Sequence, residues 1–120
     1  MGFSQPTPEL PVRDVQFAQK YYRDKLGFEI GWYNEAGKIG AVSNGDCSVF
    51  FREASEKQPP STFWVFCEDL EAVQAEMAQR GANIIEKLEL KSWGLRQFTV
   101  EDHCSNKFYF FHDVRPRSIN

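Results

Sequence analysis

The sequence contains one pattern twice: residues 11–28 read PVRDVQFAQKYYRDKLGF, and residues 66–82 read FCEDLEAVQAEMAQRGA. Each copy has a short apolar segment, an Asp followed by an apolar residue, about one helix length of chain, and then Gly. Asp14 and Asp69 lie 69 − 14 = 55 residues apart, and Gly27 and Gly81 lie 81 − 27 = 54 residues apart. Because self-similarity at a fixed period determines architecture, we expect one folding unit that occurs twice.

Each copy predicts an amphipathic helix with defined ends. The carboxylates of Asp14 and Asp69 can accept hydrogen bonds from the free amides of a first helical turn, which is the usual role of an N-cap. Apolar residues then recur at helical spacing, and Gly27 and Gly81 are natural C-terminal stops. The sequence therefore predicts one helix in each copy.

The segments around the helices predict four strands in each copy. In the first copy the strands are expected at residues 7–12, 28–33, 38–43 and 47–52. In the second copy they are expected at residues 62–67, 84–88, 97–100 and 107–111. Asn44-Gly45 predicts the last hairpin turn of the first copy, and residues 102–106 form the matching turn of the second.

The polar residues 54–60, which contain Pro59-Pro60, link the two copies. We therefore expect an α+β fold in which residues 1–120 form a single domain. Two tandem βαβββ modules, about residues 6–53 and 61–112, would build its curved mixed sheet.

Period-two alternation separates the faces of the predicted strands. Thr62, Trp64 and Phe66 share one face of their strand, and Tyr109 lies on the corresponding face of the last strand. Both strands carry large apolar side chains on both faces. We therefore expect the face away from the helix to be covered by the other module, by a partner chain or by a ligand.

Composition limits the functional class. A net charge of −3 offers no basic surface for nucleic acid, and no segment suits a signal peptide or a membrane span. Three cysteines without a CxxC pair argue against a disulfide framework or a zinc knuckle, so we predict a cytoplasmic protein. Aromatic residues make up 15% of the chain, and they belong either to the core or to an aromatic ligand cleft.

The repeated modules, together with the segments PVRDV (11–15), FCEDLEAV (66–73) and SWGLRQFTVEDHCSNKFYF (92–110), closely resemble the vicinal oxygen chelate superfamily. Within its glyoxalase/bleomycin-resistance/dioxygenase members, the chain is most similar to the bleomycin-resistance-like binding proteins. The resemblance covers about residues 6–112. It implies a homodimer that sequesters a planar or cationic compound, an antibiotic being one candidate, in an aromatic cleft without chemical conversion.

The same resemblance says where the enzymes of the superfamily would hold a divalent metal. The four places fall on Thr7, on Thr62, on Tyr109 and on one of residues 48–50 (Ser48, Val49 and Phe50). None of these side chains is a carboxylate or an imidazole, which such an ion requires. We therefore predict no metal, no cofactor and no catalytic residue.

Two alternatives stay open. One is an enzyme of the same superfamily that works without metal or through an atypical site near Glu101, His103 and Cys104. Relatives usually read Asp-Pro-Asp-Gly-Asn at this turn, and we expect Asn106 to take over part of the conformational role of the missing Gly. The other alternative is an interaction domain whose aromatic face binds a protein.

The candidate ligand-binding residues follow from the cleft-facing positions and from the resemblance. Trp93 and Gln97 are the strongest, because SWGLRQF matches the segment that borders the cleft in this family. Trp32 and Phe50 fit a place in the core as well as they fit a place in the cleft. The complete set is Trp64, Phe66, Trp93, Gln97, Tyr109, Trp32, Phe50 and Thr62.

Overall fold

The computed structural model of the protein describes residues 2–113. The chain divides into two compact units, residues 1–59 (unit 1) and residues 60–120 (unit 2). The elements of unit 1 are β1 (Glu9–Val12), α1 (Val15–Leu26), β2 (Glu29–Asn34), β3 (Ile39–Asn44) and β4 (Cys47–Glu53). Those of unit 2 are β5 (Thr62–Phe66), α2 (Leu70–Arg80), β6 (Asn83–Leu90), β7 (Leu95–Glu101) and β8 (Lys107–Asp113).

Both helices begin and end at the residues that the repeat indicates. The Asp14 carboxylate accepts a hydrogen bond from the Phe17 amide at 3.0 Å, and the Asp69 carboxylate accepts one from Ala72 at 3.1 Å. Gly27 and Gly81 take the left-handed conformation, with φ of 77° and 84°. Glycine adopts this conformation without a steric cost, and for that reason it commonly ends helices.

The two sheets have the same topology. Strand order is β1-β4-β3-β2 in unit 1 and β5-β8-β7-β6 in unit 2. In each sheet the first pair is parallel and the other two pairs are antiparallel. The predicted α+β class with two βαβββ modules is confirmed, and each module has a mixed sheet of its own. That the modules form a single domain stays a prediction.

Each helix covers one side of its own sheet, and aromatic side chains fill the space between. In unit 1 the Tyr22 ring is fully buried and meets the rings of Phe28 and Phe51 edge-on, at centroid distances of 5.4 and 4.8 Å. In unit 2 the rings of Phe98 and Phe110 stack at 5.2 Å. The opposite side of each sheet does not pack against the helix of its unit.

The structure corrects two details of the turns. Asn44 pairs with Cys47, so the loop between β3 and β4 consists of Gly45 and Asp46 and lies one residue later than expected. Only Gly45 of this loop has a positive φ, as a two-residue hairpin loop with Gly in first position requires. In the last turn the residue with positive φ is Ser105, at 69°, and the expectation for Asn106 was wrong.

Within residues 2–113, neither helix is long and apolar enough to cross a membrane.

Candidate functional site

The side of the unit 2 sheet away from α2, which we call the open face, carries its side chains in rows across the four strands. In one row Glu86 of β6 neighbours Thr99, Thr99 neighbours Tyr109, and Tyr109 neighbours Trp64 of β5. The next row runs Glu89, Gln97, Phe111 and Phe66. Strand order thus separates the open face into an aromatic half on β5 and β8 and a polar half on β6 and β7.

Stacked rings form the aromatic half. The rings of Trp64 and Tyr109 lie 4.5 Å apart at an interplanar angle of 24°. Phe111 meets both Trp64 and Phe66 edge-on, at 5.8 Å from each. Trp64 and Phe66 are each 51% exposed, although both are large apolar side chains. A contiguous exposed aromatic surface of this kind is a candidate for a binding surface.

Hydrogen-bonded polar groups, of which Gln97 and Thr99 are buried, form the polar half. The Thr99 hydroxyl donates to a carboxylate oxygen of Glu86 at 3.0 Å. The Gln97 side-chain oxygen accepts a hydrogen bond from the indole N–H of Trp93 at 3.0 Å. Gln97 is only 2% exposed, whereas the Trp93 ring is 58% exposed. The loop between β6 and β7 therefore places an exposed indole over a buried amide.

The charged groups beside this loop are paired. The Lys91 ammonium lies 2.7 Å from a Glu89 carboxylate oxygen and 3.8 Å from one of Glu86, and the hydrogen bond to Glu89 raises the pKa of Lys91. It also lies 5.9 Å from the centroid of the Trp93 ring, within the range of a cation–π contact. The polar half therefore holds both signs of charge.

The corresponding side of unit 1 is less aromatic. Trp32 and Phe50 meet edge-on at 5.1 Å, and Trp32 is 46% exposed, so this indole lies outside the core. Glu9 neighbours Phe50 as Trp64 neighbours Tyr109, and the Glu9 carboxylate pairs with Arg52 at 3.0 Å. The ion pair of Glu9 and Arg52 in unit 1 therefore occupies the positions that Trp64 and Phe111 occupy in unit 2.

A buried glutamine of α1 forms hydrogen bonds with the backbone of β2 at Trp32. The Gln19 side-chain amide donates to the backbone carbonyls of Trp32 and Ala41, at 2.9 and 3.1 Å. These carbonyls lie where the pairing of β2 and β3 shifts register between Ile30 and Tyr33. Sequence reasoning missed Gln19, although a polar residue on the inward face of a predicted helix is a signal that could have revealed it.

The eight residues predicted for the site fall into three groups. Trp64, Phe66 and Tyr109 lie together on the aromatic half, with Thr62 exposed at the start of the same strand. Trp93 and Gln97 contact each other at the polar half. Trp32 and Phe50 form the separate pair in unit 1.

Sequence reasoning missed the polar partners on the open face. Thr99 could have been found, because it is two residues from Gln97 on the same strand and must share its face. Glu86 and Lys91 could not, because β6 changes register twice against β7.

The places where the superfamily resemblance puts metal ligands do not fit a divalent ion. Thr7 and Thr62 offer only hydroxyl groups, and Tyr109 is stacked against Trp64. Among residues 48–50, Val49 is buried and Phe50 contacts Trp32. Among the residues that the structure describes, no three His, Cys, Asp or Glu side chains come together as a metal cluster.

The turn with His103 and Cys104 is organised by Asp102. One carboxylate oxygen of the buried Asp102 accepts hydrogen bonds from the amides of Cys104 and Asn106, both at 2.8 Å. Its other oxygen accepts from the Asn106 side chain at 3.0 Å. Partial desolvation lowers the pKa of His103, an exposed residue, against the opposing charge of Asp102. These contacts account for the shape of a turn that lacks glycine.

The comparisons with known proteins agree with this fold. The family model described as "Glyoxalase/Bleomycin resistance protein/Dioxygenase superfamily" matches residues 4–110. A bleomycin-binding protein in complex with bleomycin has 20% identity and a TM-score of 0.79, over 92% of this chain and 99% of that chain. The bleomycin resistance determinant encoded on transposon Tn5 has 19% identity and a TM-score of 0.80, over 94% and 100%.

TioX from Micromonospora sp. ML1 has 21% identity and a TM-score of 0.78, over 92% of this chain and 100% of that chain. At these identities the likeness to solved structures shows a shared fold. No curated protein sequence matches the chain significantly.

Proposed function

The chain belongs to the glyoxalase/bleomycin resistance protein/dioxygenase superfamily, and from this premise we propose that it is a small-molecule binding protein. A fold of this kind hosts several functions, so the proposal depends on the chemistry of the site. The observation that carries it is the stacked pair of Trp64 and Tyr109, with the Trp64 indole half exposed on the open face.

The proposed ligand is a planar, cationic compound. A flat ring can stack on the exposed indole, and the negative face of the aromatic rings attracts positive charge. Trp64, Phe66 and Tyr109 would provide the stacking surface. Trp93 and Gln97 would border it on the polar half, and Thr62 would lie at its edge. Bleomycin is the natural first compound to test, because one protein of the same fold is known in complex with it.

We propose that binding leaves the ligand chemically unchanged. The places of the superfamily metal ligands hold Thr7, Thr62, Tyr109 and residues 48–50, which supply no carboxylate or imidazole. Sequestration of a ligand requires a complementary surface and no catalytic group. The compound recovered from the complex should therefore have its original mass by mass spectrometry.

We also propose a cytoplasmic homodimer. The half-exposed aromatic side chains support the dimer, because a second copy of the chain would enclose them in a cleft that holds the ligand between the two copies. Sedimentation equilibrium measures the mass directly. A mass of one chain at all concentrations, with and without ligand, would contradict the dimer but leave the binding proposal intact.

The experiment that tests binding is a titration with bleomycin and with 1-pyrenebutylamine, a simple planar ring with a cationic tail. Intrinsic tryptophan fluorescence and the thermal midpoint report the interaction, since a ligand that binds only the folded state stabilises it by mass action. We expect Trp64→Leu to weaken binding about tenfold, because it removes a stacking surface worth about 1 kcal/mol or more.

The control is Phe17→Leu, which removes an exposed aromatic ring of α1. It should leave affinity unchanged. Equal affinities of the wild type and Trp64→Leu would refute the open face as the binding site.

A further inference from the structure

Lys91 places a cation on the polar half of the open face. Its ammonium nitrogen lies 2.7 Å from Glu89 and 3.8 Å from Glu86, and 5.9 Å from the centroid of the Trp93 ring. Two carboxylates and an indole ring are groups that proteins use to recognise ammonium ions. The chain thus puts its own side chain where the cationic group of a ligand would be recognised.

This place lies within reach of a ligand stacked on the aromatic half. Glu86 shares a row with Tyr109 and Trp64, and one strand, carrying Thr99, separates Glu86 from Tyr109. Because neighbouring strands are about 4.8 Å apart, Glu86 lies about 10 Å across the sheet from Tyr109. A tail of a few bonds on a planar ring spans that distance.

On the basis of the proposed function, we propose that Lys91 determines the charge specificity of the open face by competing with the cationic group of the ligand. A planar cation makes all of its contacts only when its charged group replaces the Lys91 ammonium between Glu86 and Glu89 while its ring stacks on the aromatic half. Lys91 then turns out into solvent on its flexible four-carbon stem. Neutral planar ligands bind with Lys91 in place.

The contacts of the Lys91 ammonium with Glu86 and Glu89 are weak enough for the cationic group of a ligand to replace them. The side chains of Glu86 and Glu89 are half exposed or more, and ion pairs between exposed groups contribute little net free energy. Lys91 itself is more enclosed than its partners, so a variant that lacks the ammonium leaves space and an unneutralised pair of carboxylates. The ligand cation then binds without a competitor.

The test uses three compounds with one ring and different tails: 1-pyrenebutylamine, 1-pyrenebutanol and 1-pyrenebutyric acid. Pyrene fluorescence gives each affinity for the wild type and for Lys91→Met, which keeps the apolar stem. We expect Lys91→Met to bind the amine about fivefold more tightly than the wild type does, because one weak ion pair and one cation–π contact no longer compete. Affinity for the alcohol should stay within about twofold.

The matched control is Lys87→Met, an exposed lysine of β6 four residues before Lys91, with the same change in net charge. It should change none of the three affinities. Unchanged or weaker amine binding by Lys91→Met, with normal binding of the alcohol, overturns the proposal for Lys91 while the binding function stands. A loss of pyrenebutyrate affinity without a gain for the amine also overturns it, because Lys91 would then recognise anions. If none of the compounds binds either protein, both proposals fail.

A second measurement does not depend on the variant. Reductive methylation followed by peptide mass spectrometry reports how accessible each lysine is in the wild-type protein. We expect saturating 1-pyrenebutylamine to raise the methylation of Lys91 relative to that of the exposed Lys87 in the same sample, since the ligand releases the Lys91 ammonium. The ratio removes the effect of reagent that the amine of the ligand consumes, and 1-pyrenebutanol should leave the ratio unchanged. A lower ratio with the amine, or equal ratios with the two compounds, contradicts the proposal.

Discussion

The indole N–H of Trp93 donates a hydrogen bond of 3.0 Å to the side-chain oxygen of Gln97, which joins an exposed ring to a buried amide. The two residues are four apart in sequence, and Gly94 between them has a φ of 91°. The bond therefore fixes the loop between β6 and β7 against the sheet.

The first prediction concerns this bond. Trp93→Phe keeps a ring but removes the donor, and it leaves a buried amide oxygen without its partner. We expect the free energy of unfolding to fall by about 1–2 kcal/mol in urea denaturation. Combining Trp93→Phe with Gln97→Met should cost less than the sum of the single changes by about 1 kcal/mol. Strict additivity would show that the bond contributes nothing in solution.

The second prediction concerns the support of Trp32. Gln19→Met has nearly the same shape as the wild-type side chain but cannot donate to the carbonyls of Trp32 and Ala41. We expect a loss of about 1–3 kcal/mol in the free energy of unfolding, because two carbonyls at the register shift lose their donor. The near-ultraviolet circular dichroism of the tryptophans should also change.

Gly40→Ala probes the same contact from the sheet. A Cβ atom at Gly40 would lie 2.7 Å from the Gln19 amide nitrogen and 2.9 Å from a methyl carbon of Val15. Such crowding costs about 1–3 kcal/mol. Gly31→Ala is the control, since its nearest contact would be 3.5 Å. If both glycine variants were equally stable, Gln19 would not be held as tightly as these distances indicate.

The third prediction concerns the last turn. Asp102→Ala removes the acceptor of two amide hydrogen bonds and one side-chain hydrogen bond inside a buried turn. We expect a loss of about 2–3 kcal/mol, measured as a fall in the thermal midpoint or in urea denaturation. Asp46→Ala changes an exposed aspartate of the other hairpin loop and should stay within about 0.5 kcal/mol of the wild type.

The fourth prediction concerns pH. Partial desolvation lowers the pKa of His103 in the folded protein from its ordinary value of 6.5, so the unfolded chain takes up the proton at a higher pH than the folded chain does. Because His103 is an exposed residue, solvent screens this effect and we expect a small pH dependence. Stability from the neutral imidazole is therefore present above about pH 6.5 and is lost as the pH falls through the lowered folded value. His103→Asn should flatten this part of the stability profile below about pH 6.5. A parallel profile for the variant would show that His103 does not contribute.

Much of the fold could be predicted because each element is specified locally. Asp14 and Asp69 cap the helices, and Gly27 and Gly81 end them, whatever the rest of the chain does. The alternation that put Trp64 and Phe66 opposite Phe63 and Val65 is likewise a local property of a strand.

The polar half of the site could not be predicted in the same way. Glu86 meets Thr99 only because the pairing of β6 with β7 changes register, and sequence alternation does not reveal a β-bulge. Lys91 reaches Glu86 and Glu89 through side-chain conformations, which no pattern of residue types indicates. In the turn, the positive φ falls on Ser105, the position at which relatives have Gly, and the buried Asp102 carboxylate holds the neighbouring amides of Cys104 and Asn106.

The most direct test of the central claim follows the tryptophan indole N–H signals by nuclear magnetic resonance during a titration with 1-pyrenebutylamine. The three tryptophans give three separable signals, assigned with Trp32→Phe, Trp64→Phe and Trp93→Phe. We predict a large, saturable shift of the Trp64 signal, because a ring stacked on its indole moves the resonance strongly, and a smaller shift of Trp93. The Trp32 signal shows whether the pair in unit 1 also contacts the ligand. A Trp64 signal that stays fixed while the compound binds would contradict the claim that the open face of unit 2 is the ligand site.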